Sequence, residues 1–197
     1  MSITGDSLSW LKHLPCTQKI KGSTPLSSTK DQSIYKKIIM DYHQISFIIM
    51  MTTFLSYVLF IWIKYGIQPS ISDSYYVLPN KLKPLFTLFC WGFALPAIIL
   101  GVEITPFMFF AGVGICFVGA AAQFKDDWVS NIHMIAAIGG IIFSQLAIFF
   151  GFHMLWLNII SIVLSVIMPF ITIKYYFWYV ELIAFSAICY ALGTTIF

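Results

Sequence analysis

The sequence predicts an all-α polytopic membrane protein, a bundle of six transmembrane helices behind a basic N-terminal tail. Three observations carry that reading. Of 197 residues, 59% are hydrophobic and only 10% are charged, against about 25% charged in soluble domains. The mean hydropathy is +0.88, more apolar surface than one water-soluble core of this length can hide. The apolar residues also come in continuous runs rather than in the alternation of a β-barrel strand, so the backbone must satisfy its own polar groups as helix.

Residues 1–44 read as a polar, basic and largely flexible tail. They carry Lys12, Lys19, Lys21, Lys30, Lys36 and Lys37 among Ser, Thr and Pro. No apolar signal-peptide core opens the chain; a short helix is expected over 31–42, and Trp10 with its leucines could rest on a membrane surface. Residues 45–197 form the membrane domain. Crossing the hydrocarbon takes ~20 mostly apolar residues, and six runs approach that: Ile45–Ile63, Pro84–Gly101, Thr105–Ala122, Asn131–Gly151, Met154–Ile173 and Tyr175–Phe197. Pro96 and Pro169 fall inside spans, where a missing N–H kinks a helix. Six crossings put both termini on one side. A basic tail without a signal sequence is hard to translocate, so the N-terminus is expected in the cytoplasm, and the protein in a bacterial inner membrane.

Charge and cysteine usage exclude other classes. All eleven basic residues are lysines; without arginine, nucleic-acid recognition is not expected. Cys16, Cys90, Cys116 and Cys189 show no metal or disulfide spacing and read as small apolar side chains. Neither a phosphate-binding loop, a nucleophile elbow nor a dinucleotide fingerprint occurs, so no cofactor and no metal is expected. The partners expected are membrane lipids, with the tail available to dock a protein.

Small residues at four-residue spacing let helix backbones meet in lipid. Gly112, Cys116 and Ala120 in the third run, and Ala136, Gly140 and Ser144 in the fourth, predict close packing of these two helices. A glycine-lined ligand passage is the functional alternative for the same pattern. The phenylalanines of runs two and three read as core filling and lipid contact.

Polar groups gather at one end. The loop after the first span reads SISDSYY, residues 70–76, and QFKDDWVSNIH joins the third and fourth spans. The loops after the first and third crossings lie on the same side, which brings Ser72, Asp73, Tyr75, Tyr76, Asp126, Asp127 and His133 to one face. Glu181, seven residues beyond Lys174, lies ~10 Å into the last helix of that face. A carboxyl at such depth is a functional candidate. Each group also has a plain structural reading. Asp73 and its serines make turns or a cap, Asp126 and Asp127 meet a helix dipole, and His133 and Glu181 bond to neighbouring groups. The site reading rests on their convergence, with SISDSYY as a lid, Tyr75 and Tyr76 as headgroup-level anchors, and His133 turned inward.

Ser70 to Tyr76, and Asp126 or Asp127 followed by His133, are also the stretches by which residues 45–197 resemble a broad group of small bacterial membrane proteins of unknown function. Those proteins have six or seven spans and are distantly similar to the FRAG/DRAM/SFK-type eukaryotic membrane proteins. The resemblance implies an extracytoplasmic loop after the first span and no particular activity; the basic tail departs from it. Three functions follow for testing. The first is binding of a lipid or small amphiphile at the polar cluster. The second is a membrane-embedded hydrolase using Asp73, Asp127 and His133, with or without a metal. The third is a structural or interaction subunit.

Overall fold

The computed structural model describes residues 29–121 and 127–197, with side chains described over 37–120 and 131–197. Residues 1–28 and Asp126 lie outside the described residues, as do the side chains of Asp127 and of the early tail lysines. Met1–Ile38 and Ile39–Phe197 are two units, and the side-chain contacts described below lie in the second.

Among the described residues the chain is helical, without a strand. The elements are α1 (Thr29–Tyr65), α2 (Ser74–Val77), α3 (Pro84–Gly101), α4 (Pro106–Ala121), α5 (Asp127–Leu146), a π-helical turn (Ala147–Gly151), α6 (Leu155–Ile171) and α7 (Tyr176–Ile196). Four stretches are long and apolar enough to cross a membrane: Lys37–Tyr65, Pro84–Gly101, Asn131–Gly151 and Tyr176–Ile196. Pro106–Ala120 and Leu155–Ile171 are apolar but shorter. The helix expected over 31–42, leading into the first span, lies within α1.

Helix α1 buries Met50, Phe54, Tyr57 and Ile61. That spacing of three and four residues puts them on one stripe. The stripe meets the bundle mostly through rings. Phe54 lies 5.9 Å from Phe93 and 5.4 Å from Phe185, centroid to centroid, and Tyr57 stacks on Phe89 at 4.4 Å and 7°. Pairs of this kind contribute about 0.5–1.5 kcal/mol each beyond area burial. Gly66, at φ 75°, ends the helix in the left-handed conformation glycine tolerates, its N–H reaching the Trp62 carbonyl at 3.1 Å.

Helices α3, α4 and α5 pack in chain order, α6 lies against α7, and α5 and α3 also touch α7. Helix α3 turns Phe86, Phe89, Cys90, Phe93 and Ala97 inward and leaves Leu85, Leu88, Trp91, Leu95 and Ile99 outward. The expected pairing of the third and fourth runs is present as α4 against α5, with one change in the contact residues. Gly112 faces α3, where a Cβ would meet Ile98 and the Ala94 carbonyl. The close approach to α5 is at Gly114, whose added Cβ would lie 2.9 Å from the Ala136 carbonyl and 3.0 Å from the Gly140 Cα.

The π-helical turn closes α5. Phe152 donates its N–H to the Ala147 carbonyl at 3.0 Å, and Met154 to that of Ile148 at 3.1 Å. His153, at φ 55°, then reverses the chain into α6. Within lipid-depth helix, Gln145 bridges to α6: its Oε1 accepts from Asn158 Nδ2 at 3.0 Å and from Ser161 Oγ at 2.7 Å. Among the described residues, Asn158 and Ser161 are the buried residues of α6, and both are polar. Van der Waals packing and such bonds hold membrane helices together, where lipid gives no hydrophobic drive between them.

Candidate functional site

The loop between α1 and α3 folds onto the ends of the helices. Ser70, Ile71, Ser74 and Tyr75 are buried. Local bonds shape it: Ser70 Oγ accepts the Asp73 N–H at 2.9 Å and shares a hydrogen bond with Ser72 Oγ at 2.9 Å, the kind of turn hydroxyls favour. The N–H groups of Ser74, Tyr75 and Tyr76 reach back to the carbonyls of Ile71, Ser72 and Asp73, making the single turn α2. Two further bonds tie the loop to the bundle. Tyr57 Oη and Ser74 Oγ are 2.6 Å apart, and Trp178 donates its N–H to the Pro69 carbonyl at 3.0 Å.

The most telling contact is with Glu181. Its Oε2 accepts the Ile71 N–H at 2.6 Å and lies 3.4 Å from the Ser72 N–H, while Oε1 has the Ser72 hydroxyl at 3.4 Å. A side chain on α7 is thus held by main-chain donors 110 residues earlier in the chain. The carboxyl also lines a cavity. Lid residues Ile71 and Ser72 cover one end of it. Its walls are Phe86, Phe89, Cys90, Phe93 and Ala97 of α3, Met108, Ala111, Gly112, Ile115 and Val118 of α4, Ala136, Ala137, Gly140, Ile141 and Ser144 of α5, and Ala184, Phe185 and Ile188 of α7.

The cavity volume is about 60 Å³, room for several waters by a measure in which one needs roughly 10–15 Å³. Its lining runs from Phe86 to Ala97 along α3, ~16 Å of helix. It is therefore long and narrow. Ser144 spends its hydroxyl on the Ile141 carbonyl at 2.7 Å. Glu181 is the one ionisable carboxyl among the described residues that line it.

Of the remaining expected site residues, Asp73, Tyr75, Tyr76 and His133 have described side chains. Asp73 makes no side-chain cap bond; it lies within electrostatic range of both Glu181 and His133. His133 faces the backbone of Val118, and its Nδ1 is buried without a hydrogen-bond partner among the described residues. Tyr75 is buried, with Lys83 Nζ 5.0 Å over its ring, whereas Tyr76 is 65% exposed. The two tyrosines therefore do different things, one packing into the lid and one facing outward. Asp127 opens α5. Among the described residues, no three His, Cys, Asp or Glu side chains are grouped to hold a metal ion, and Cys90, Cys116 and Cys189 are free.

Two features escaped the sequence reading. One is that lid backbone, not a lid side chain, engages Glu181. The other is the Gln145–Asn158–Ser161 cluster, for which the signal was available: two amide side chains in the middle of apolar runs. No protein-family model, curated protein or solved structure matches the chain.

Proposed function

We propose that this membrane protein binds a slim amphiphile, with the apolar part in the cavity among α3, α4, α5 and α7 and the polar part at Glu181 beneath the lid. The carrying observation is the combination at one place: a long, narrow apolar cavity whose ionisable group is a carboxyl gripped by the lid. Pockets that bind small molecules are mostly apolar with a few placed polar groups, and this one has that character. The narrow bore suits one chain better than two. On this reading the α4 and α6 helices cross as short spans, close to the ~17-residue lower limit.

The test is the content of the purified protein. Wild type extracted into lipid nanodiscs and analysed by native mass spectrometry is expected to retain a co-purifying amphiphile. Ala184→Leu and Ala137→Leu, which add bulk to two walls of the cavity, are expected to lose most of it. Equal retention in wild type and both variants would overturn the reading.

A further inference from the structure

We infer that the head group this site takes is an organic cation, a protonated amine or quaternary ammonium on a single apolar chain. The inference rests on the amphiphile reading and adds the charge of the ligand to it.

The first argument is the asymmetry of the carboxyl. One oxygen, Oε2, has a short bond from the Ile71 N–H at 2.6 Å. The other, Oε1, has only the Ser72 hydroxyl at 3.4 Å, long beside the usual 2.7–2.8 Å for such a bond (approximate mode). One oxygen is committed to the lid and the other is nearly unengaged. The second argument is the missing countercharge. Among the described residues lining the cavity there is no lysine and no histidine, and the nearby charge at Asp73 has the same sign as Glu181. An anionic head would be repelled here, a neutral one would gain a hydrogen bond, and a cation would gain both a hydrogen bond or contact and a Coulomb term strengthened by low dielectric.

The third argument is the wall. Phe185 lies one turn beyond Glu181, and Phe89 and Phe93 face it from α3. Phe93 and Phe185 are 4.7 Å apart at 84°, Phe89 and Phe185 5.7 Å apart at 59°. These three rings and Glu181 line the same cavity. Aromatic faces attract ammonium groups, most strongly where water is excluded. A role confined to pinning the lid would account for the short bond at Oε2, and it leaves Oε1 with only the long Ser72 contact.

Three probes of equal chain length separate the outcomes: decyltrimethylammonium, 1-decanol and decanoate. Each is titrated by calorimetry into the full chain in nanodiscs, with empty nanodiscs subtracted. The ammonium is expected to bind about tenfold tighter than the alcohol, and decanoate weakest. Glu181→Gln, whose amide oxygen can still accept the Ile71 N–H, is expected to reduce the ammonium to the affinity of the alcohol and leave the alcohol unchanged. Phe89→Leu is expected to weaken the ammonium selectively. If the alcohol and ammonium bind wild type alike, or decanoate binds as tightly, the cation inference is wrong while the amphiphile reading stands. If no probe binds wild type, both are wrong.

Discussion

Two polar regions lie inside the same apolar bundle, and they are built differently. At the α5–α6 contact, Gln145, Asn158 and Ser161 answer one another: Asn158 Nδ2 reaches the Gln145 carbonyl and Gln145 Oε1, both at 3.0 Å, and Ser161 Oγ reaches Gln145 Oε1 at 2.7 Å. No cavity lining includes any of the three among the cavities described. At the other region, Glu181 draws its partners from the lid, mainly its backbone, and lines an apolar cavity. Lipid imposes the same rule on both, that buried polar groups be satisfied. The closed cluster uses that rule to join two helices. The open one has an oxygen with only a long contact, at 3.4 Å, and on the proposed function that spare capacity is what a ligand meets.

The contrast can be broken most forcefully at the seam that forms the cavity wall. Gly114→Ala places a Cβ against α5 backbone that cannot yield as a side-chain tip would, and overpacking of this kind costs about 1–3 kcal/mol. Thermal unfolding in nanodiscs should show that loss together with loss of bound amphiphile. Gly139→Ala is the matched control, because its Cβ would meet nothing within 4 Å; it should be neutral or stabilising by up to about 1 kcal/mol. Equal melting of the two variants would show that the seam is not close-packed.

A second, smaller effect should separate the two polar regions. Gln145→Leu removes the side-chain oxygen shared by Asn158 and Ser161, while Asn158 Nδ2 keeps the main-chain carbonyl at position 145 and Ser161 Oγ keeps the Asn158 carbonyl. Interhelical bonds in membranes average ~0.6 and reach ~1.7 kcal/mol, so a loss of about 0.5–1.5 kcal/mol is expected. Amphiphile retention should be unchanged. A variant that kept its stability but lost ligand would reverse the roles assigned to the two regions.

The smallest stability effect is expected at the lid latch. Tyr57→Phe keeps the ring stacked on Phe89 and deletes the hydroxyl that meets Ser74. Ser74 retains its bond to the Ile71 carbonyl, so the cost should be about 0.5–1.5 kcal/mol. Ligand release, followed as dissociation of decyltrimethylammonium, should quicken more than stability falls. An unchanged release rate would mean that the lid does not limit exit.

The apolar runs made the helices legible, because lipid solvent leaves few other structures for such segments. The α4–α5 pairing was legible from its small residues, but the choice of Gly114 over Gly112 was not. Four-residue spacing identifies a stripe, and which neighbour the stripe faces depends on three helices at once. The lid could be anticipated from the polarity of residues 70–76, and so could the depth of Glu181. Their union could not, because it runs through main-chain N–H groups, which every residue but proline carries and which leave no signature. Asp73 drew attention as the charged residue of the lid, yet its backbone is what the turn uses, through Ser70. Asp126 and the side chain of Asp127 lie outside the described residues, so their place in the polar face stays as the sequence reading has it.

Main-chain recognition of Glu181 also bears on how this protein can drift in sequence. The grip at Ile71 is made by its N–H, which every residue but proline carries, and the buried Ile71 side chain is held separately by packing. Tyr76 and Val77, exposed on the outer side of the lid, are free to vary more widely still, since neither carries the hold on α7. Lids of quite different outward chemistry could therefore close over the same carboxyl, so that the outer surface of the lid and the cavity beneath it can diverge independently.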